Sequence, residues 1–147
     1  MKRILSVVLL ITIFLSFTSC ASGAKALDKK FKEFGFVENT KDAREVAASA
    51  WSSFANTDVD YANEVLNSLI NQGNAPRLWE NGEEKIVIIE CKDYDTISRL
   101  YFGLPYNSLQ GNVFEHLYQS GKAYASCFII SAPDYIFDEI AKMNGYN

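Results

Sequence analysis

Apolar residues recur at helical spacing over two neighbouring stretches of the chain. Both stretches, residues 42–54 and 62–70, place their apolar positions three and four residues apart. The polar segment 56–60 ends the first stretch and supplies a helix cap for the second. Gly73 suits the left-handed residue that often follows a helix. The pattern predicts two amphipathic helices joined as an antiparallel hairpin.

Two other apolar runs predict β-strands. Ile86-Val87-Ile88-Ile89 is apolar without alternation, which indicates a central strand that is covered on both faces. The dipeptide Asn81-Gly82 precedes it and is the strongest short signal for a β-hairpin, so residues 77–80 are expected to form its partner strand. Residues 123–131 predict a second buried strand.

Shorter helical patterns surround these elements and define the fold class. Residues 24–34 place three apolar side chains on one face, and further helices are predicted after Asp93 or Asp95, over 113–118 and from 134 onwards. The sequence therefore predicts a single α+β domain. Its small sheet, made of the hairpin plus one further strand, is covered by amphipathic helices.

The first twenty residues follow a different pattern from the rest of the chain. Lys2 and Arg3 precede an uncharged apolar stretch, 4–17, of 14 residues, which is shorter than the ~20 residues that a membrane-spanning helix needs. Small residues and Cys20 follow. A positive start, a short apolar stretch and small residues predict an export signal.

The end of this signal resembles the lipobox of bacterial lipoproteins. That family places an apolar residue, usually leucine, and two small residues before an invariant cysteine, and this chain has Phe17-Thr18-Ser19-Cys20. The resemblance covers residues 1–20 and implies that Cys20 takes a diacylglyceryl group, that the signal is removed before the cysteine, and that the new amine is often acylated. Two or three acyl chains hold a protein stably at a membrane. The implied location is the bacterial cell envelope, on the outer membrane or the periplasmic face of the inner membrane.

This interpretation divides the chain into a signal peptide, 1–19, a lipidated N-terminus and tether, 20–34, and a globular domain, 35–147. Cleavage by ordinary signal peptidase after Ala21 or Gly23, which would release a soluble secreted protein, is one alternative. Retention of the segment as an uncut membrane anchor is another. The helix predicted over 24–34 also has two interpretations: a tether that lies on anionic headgroups, or an ordinary first helix that docks on the core.

The charge of the exported part argues against nucleic acid as a partner. After residue 19 the chain carries 12 Lys and Arg against 18 Asp and Glu, a formal charge of −6. Phosphate backbones repel such a surface, and no basic stripe with interleaved aromatic residues is visible. The predicted partners are the membrane, through the lipid, and a protein or another envelope component.

Few residues carry a signal for chemistry. His116 is the single histidine and lacks the second histidine that a helical zinc site needs four residues away. Two alternatives stay open for Cys91 and Cys127: a disulfide, which requires that their strands be neighbours, or two buried free thiols. Two cysteines and one distant histidine fit no standard zinc spacing, and no phosphate-binding loop is present, so no metal or cofactor is predicted.

An aromatic cluster is the remaining candidate for binding. Tyr101, Phe102 and Tyr106 surround a glycine and a proline, which predicts either a binding patch or a loop that folds back onto the core. Without a nucleophile, metal or cofactor motif, the sequence favours a membrane-anchored exported lipoprotein whose domain is a non-enzymatic binding or assembly module. A small exported enzyme whose acids or His116 assemble only in the fold is the alternative.

Overall fold

A computed structural model describes residues 23–93, 96, 97, 100 and 113–147 of the chain. Within these residues an open antiparallel sheet of five strands lies between two layers of helices. This confirms the predicted α+β class. The elements in chain order are α1 (23–33), β1 (Val37–Glu38), α2 (Ala43–Ala55), α3 (Val59–Asn71), β2 (Ala75–Asn81), β3 (Glu84–Glu90), α4 (Val113–Gln119), β4 (Ala123–Tyr124), β5 (Cys127–Ser131) and α5 (Asp134–Met143).

Strand β3 lies in the middle of the sheet, whose strand order is β1-β2-β3-β5-β4. Ile86 and Ile88 belong to the hydrophobic cluster that α1 and α5 cover. Val87 and Ile89 belong to the cluster on the opposite face, beneath α2 and α3. Since side chains alternate along a strand, burial of both faces requires four consecutive apolar residues. The prediction of a central strand covered on both sides is confirmed.

The helical hairpin forms as predicted. α2 ends at Asn56, which adopts the left-handed conformation with φ 51°, and the chain turns at once into α3. Asp58 caps α3, because its carboxylate accepts a hydrogen bond of 2.8 Å from the backbone N–H of Tyr61. Ala47 and Leu66 are fully buried where the two helices meet the sheet.

The turn between β2 and β3 lies one residue later than predicted. Asn81 pairs with Glu84, so Gly82-Glu83, and not Asn81-Gly82, is the two-residue loop. Gly82 has a positive φ of 60° and Glu83 does not, which is the sign pattern of a type II′ turn with glycine first. Asn81 instead donates a hydrogen bond of 3.1 Å from its side-chain amide to the carbonyl of Phe34, which fixes it in the strand.

Residues 123–131 form two strands, where the sequence predicted one. β4 and β5 pair around a two-residue turn, Ala125-Ser126, and Ala125 adopts a positive φ of 48°. The hydroxyl of Tyr118 donates a hydrogen bond of 2.8 Å to the carbonyl of Ala125 and holds the turn from α4. With β1, the sheet therefore has two strands more than the predicted hairpin plus one.

Helix α1 docks on the sheet. Leu27 and Phe31 are fully buried, and the ring of Phe31 meets that of Trp79 edge-to-face with centroids 5.5 Å apart. The apolar face of α1 thus faces the core, and its lysines face outward. No helix among the described residues is long and apolar enough to cross a membrane.

Candidate functional site

Four of the candidate residues lie outside the described residues. These are the predicted lipidation site and the three members of the aromatic patch: Cys20, Tyr101, Phe102 and Tyr106. They therefore stay predictions from the sequence.

His116 lies on α4 with its side chain exposed to solvent. Across the described ranges, no three histidine, cysteine or acidic side chains come together in a way that could hold a metal ion. Asp93, predicted as a helix cap, accepts hydrogen bonds of 2.8 Å from both the backbone N–H and the hydroxyl of Thr96. That carboxylate is engaged in capping.

Cys91 and Cys127 are both buried, free thiols. β3 and β5 are indeed neighbours, but Cys127 is paired with Glu90 and not with Cys91. Adjacent residues point to opposite faces of a strand. Cys91 therefore belongs to the cluster beneath α2 and α3, and Cys127 belongs to the cluster beneath α1 and α5.

Burial raises the pKa of the Cys91 thiol well above its ordinary value of 9.0, and the nearby Cys127 and Asp93 act in the same direction. The nucleophile is the thiolate, so this thiol is unreactive in the folded protein. The unfolded chain ionises the thiol above pH 9.0, whereas the folded chain keeps it protonated. The free energy of unfolding therefore decreases as the pH rises above that value.

We expect the two thiols to resist alkylation until the domain unfolds. Iodoacetamide at pH 8 should leave Cys91 and Cys127 unmodified in the native protein, because both are buried. In denaturant without reductant, mass spectrometry should find both residues alkylated. Alkylation that requires prior reduction would show a disulfide and contradict this arrangement.

Three carboxylates surround Arg77 of β2, and this group of four charged side chains was not predicted from the sequence. Its Nε donates a hydrogen bond of 2.7 Å to Glu38 of β1. Its Nη1 lies 2.9 Å from Asp28 of α1 and 3.4 Å from Glu90 of β3. The contact with Asp28 is an ion pair without hydrogen-bond geometry, since that carboxylate oxygen is buried and has no aligned donor. We call these four residues the Arg77 cluster.

Strand alternation explains where Arg77 points. It lies two residues before Trp79 and so shares that residue's face, the one that α1 covers. The guanidinium carbon is 5.3 Å from the Trp79 ring centroid, and 14% of the Arg77 side chain is exposed. One signal in the sequence could have indicated this cluster. Arg77 lies two residues before Trp79 in the predicted strand, so alternation places a cation on the same face as this aromatic residue.

The electrostatics of the Arg77 cluster favour a structural role. Burial acts to lower the pKa of Arg77, but the hydrogen bond to Glu38 and the negative charges of Asp28 and Glu38 outweigh it and raise the pKa above its ordinary value. A guanidinium held in this way keeps its proton and its positive charge near neutral pH. The cluster therefore joins α1 and β1 to β2 and β3.

The outward face of α1 is the second polar feature that the fold positions. Lys25, Lys29 and Lys32 are exposed and spaced four and three residues apart, which places them on one side of the helix. We call these three residues the lysine face. Together with Asp28 and Glu33 they line an open depression on the surface.

The lysine face and Lys30 lie on different sides of α1. Lys32 is 6.0 Å from the ring centroid of Trp79 and so lies towards β2. Lys30 is 3.7 Å from Glu139 of α5 and so lies towards that helix. Lys29 makes one long contact, 4.0 Å to Glu33, and its side chain is 82% exposed. Exposed ion pairs at this distance contribute little to stability, so this pair holds the Lys29 side chain only weakly.

No protein-family model matches this chain, and neither does any curated protein or solved structure.

Proposed function

We propose that the chain is an exported bacterial lipoprotein, anchored to a membrane of the cell envelope through Cys20, whose domain acts as a non-enzymatic binding or assembly module. The observation that carries the proposal is the order of residue types over 1–20: two basic residues, 14 uncharged residues, two small residues and a cysteine. Acyl chains on one cysteine would then hold an acidic domain at the bilayer surface.

Features of the domain support a role in binding over a role in catalysis. The two described thiols are buried, and the pKa of Cys91 is raised, so a thiolate nucleophile is disfavoured there. Arg77 is occupied by three carboxylates. His116 is exposed on α4. The helical hairpin, with Val59 and Tyr61 exposed, offers a surface for assembly.

Replacing Cys20 by serine is the direct test of the anchor. Bacterial cells that express the native chain should incorporate radioactive palmitate into it, and the Cys20→Ser variant should lose all of that label because serine offers no thiol to modify. The native protein should also enter the detergent phase of a phase-separation extraction, and the variant should stay in the aqueous phase. Cys91→Ala is the matched control and should keep the label.

The mature N-terminus distinguishes this proposal from the alternatives. Mass spectrometry should find a modified cysteine as the first residue. A mature chain that begins at Ser22 or Ala24 would instead show cleavage by ordinary signal peptidase and refute lipid anchoring. An intact residue 1 would show the uncut anchor.

The proposed binding role has its own test. Affinity capture of the tagged native protein from its own envelope should recover a stoichiometric partner, and the capture should be repeated with the exposed hairpin variant Val59→Asp/Tyr61→Asp. Loss of the partner with this variant would support assembly through the hairpin. Capture of no partner from the intact envelope would count against a binding module.

A further inference from the structure

We propose that the lysine face of α1 is a membrane-docking surface: Lys25, Lys29 and Lys32 lie against anionic lipid headgroups and orient the anchored domain. This inference rests on the proposed lipidation of Cys20. It adds to it a defined orientation, with α1 towards the bilayer and the helical hairpin α2–α3 on the far side of the sheet.

The short chain between the anchor and the fold carries the first part of the argument. The described part of α1 begins at residue 23, three residues after Cys20. Each residue spans at most about 3.6 Å, so the start of α1 lies within roughly 11 Å of the anchored cysteine. Electrostatic screening in physiological salt acts over about 8 Å. The start of α1, with Lys25, is therefore held within little more than one screening length of the anchored cysteine.

The first described residues of α1 are packed against the domain. The helix therefore does not unwind freely there to lengthen the tether to Cys20. Gly23 and Ala24 are buried. A Cβ atom on Gly23 would lie 2.2 Å from the Cβ of Ala125 in the β4–β5 turn, so the helix start and this turn are in close contact. Lengthening the tether would require this contact to break, and the anchor position therefore constrains the orientation of the whole domain.

Charge complementarity selects which side of the domain faces the bilayer. The lysine face together with Asp28 and Glu33 carries three lysines and two acids, a formal charge of +1, whereas the exported part as a whole carries −6. The rest of the domain is thus strongly negative and is repelled by anionic lipids, which attract lysines near the surface. The neighbouring helix α5 carries Asp134, Asp138 and Glu139, and the lysine face lies on the side of α1 away from it.

The same geometry excludes the apolar face of α1 as the contact. A helix that lies in a membrane interface buries its apolar side in the lipid. Leu27 and Phe31 are fully buried in the protein core, so that side of α1 is already occupied. The lysine side is what remains for the headgroups.

Acetylation of lysines measures this docking directly. The native protein is purified from bacterial membranes and reconstituted into two kinds of vesicle. One kind, the anionic vesicles, contains phosphatidylcholine with 30% phosphatidylglycerol, and the other, the neutral vesicles, contains phosphatidylcholine alone. Each preparation is then treated briefly with an acetylating reagent. In the anionic vesicles we expect each residue of the lysine face to react about fivefold more slowly than in neutral vesicles. Lys41, Lys85 and Lys92, exposed at other places on the domain, are the matched controls and should react equally in both.

A charge variant completes the test. Lys25→Gln/Lys32→Gln removes two of the three charges and keeps Lys29 as the reporter, and Lys29 should then react at nearly the same rate in the two kinds of vesicle. The matched variant Lys41→Gln/Lys85→Gln/Lys92→Gln should leave the protection of the lysine face unchanged. Protection should also disappear in 1 M salt, where screening acts over about 3 Å.

Two results overturn the docking surface: equal reactivity of the lysine face in both vesicles, or equal protection of all exposed lysines. The intact mass of the same preparation reports acylation of Cys20 separately. An acylated protein without protection refutes the docking surface alone, whereas a protein without fatty acid refutes the proposed anchor.

Discussion

Replacing Gly121 by alanine is expected to destabilise the domain by about 3–5 kcal/mol, a large effect for one methyl group. Gly121 follows α4 and has a positive φ of 69°. A Cβ atom there would lie 1.9 Å from the carbonyl oxygen of Phe137 and 2.7 Å from its carbonyl carbon. These are backbone atoms of α5, which cannot rotate away as a side chain does, so α4 and α5 would have to separate.

The measurement for Gly121→Ala is urea unfolding followed by circular dichroism, with Gly82→Ala as the matched control. Gly82 also has a positive φ, 60°, but a Cβ atom there would meet nothing within 4 Å. The control therefore experiences the backbone strain alone, which costs about 1–3 kcal/mol. Equal losses in the two variants would contradict the close approach of α5 to Gly121.

Replacing Arg77 by methionine is expected to destabilise the domain by about 2–3 kcal/mol at pH 7. Methionine keeps a flexible apolar stem beside Trp79 but leaves the carboxylates of Asp28, Glu38 and Glu90 without their shared cation. Removal of one member of a buried ion pair costs about 3–5 kcal/mol, and we reduce this figure because the three acids are 26–40% exposed.

Lys85→Met is the control for Arg77→Met. Lys85 forms one ion pair of 3.4 Å with Glu80, its side chain is 47% exposed, and its loss should cost less than about 1 kcal/mol. The double variant Arg77→Met/Asp28→Asn should recover part of the lost stability, because it removes one of the uncompensated charges. If Arg77→Met proves no more costly than Lys85→Met in urea unfolding, the Arg77 cluster does not hold α1 to the sheet.

Elements with long, regular patterns could be predicted from the sequence, since their signal is local. The hairpin α2–α3 and the central strand β3 follow from the spacing of apolar residues alone. The turn at Ala125 could not be predicted, because alanine rarely adopts a positive φ and nothing nearby marks a turn. The turn depends on contacts from other elements. The hydroxyl of Tyr118 in α4 donates a hydrogen bond to the carbonyl of Ala125, and Gly23 of α1 leaves room for Ala125 because it has no side chain.

The charged features of the surface divide in the same way. The lysines of α1 are visible in the sequence, but which side of the helix they occupy relative to α5 depends on tertiary contacts. The Arg77 cluster joins residues up to 62 positions apart, from Asp28 to Glu90, and no local pattern brings these together. The free thiols likewise required the strand register, which places Cys91 and Cys127 on opposite faces.

The two edges of the sheet affect how readily copies of this domain would pair with one another on a crowded surface. Both outermost strands, β1 and β4, are two residues long, and β2 extends beyond β1 with Pro76, which has no N–H to donate. A short border with a missing donor is a poor template for pairing with a neighbouring molecule. If copies of this domain were concentrated on a surface, pairing of their sheet edges into fibrils would therefore be less favourable than for a domain with long, unpaired edge strands.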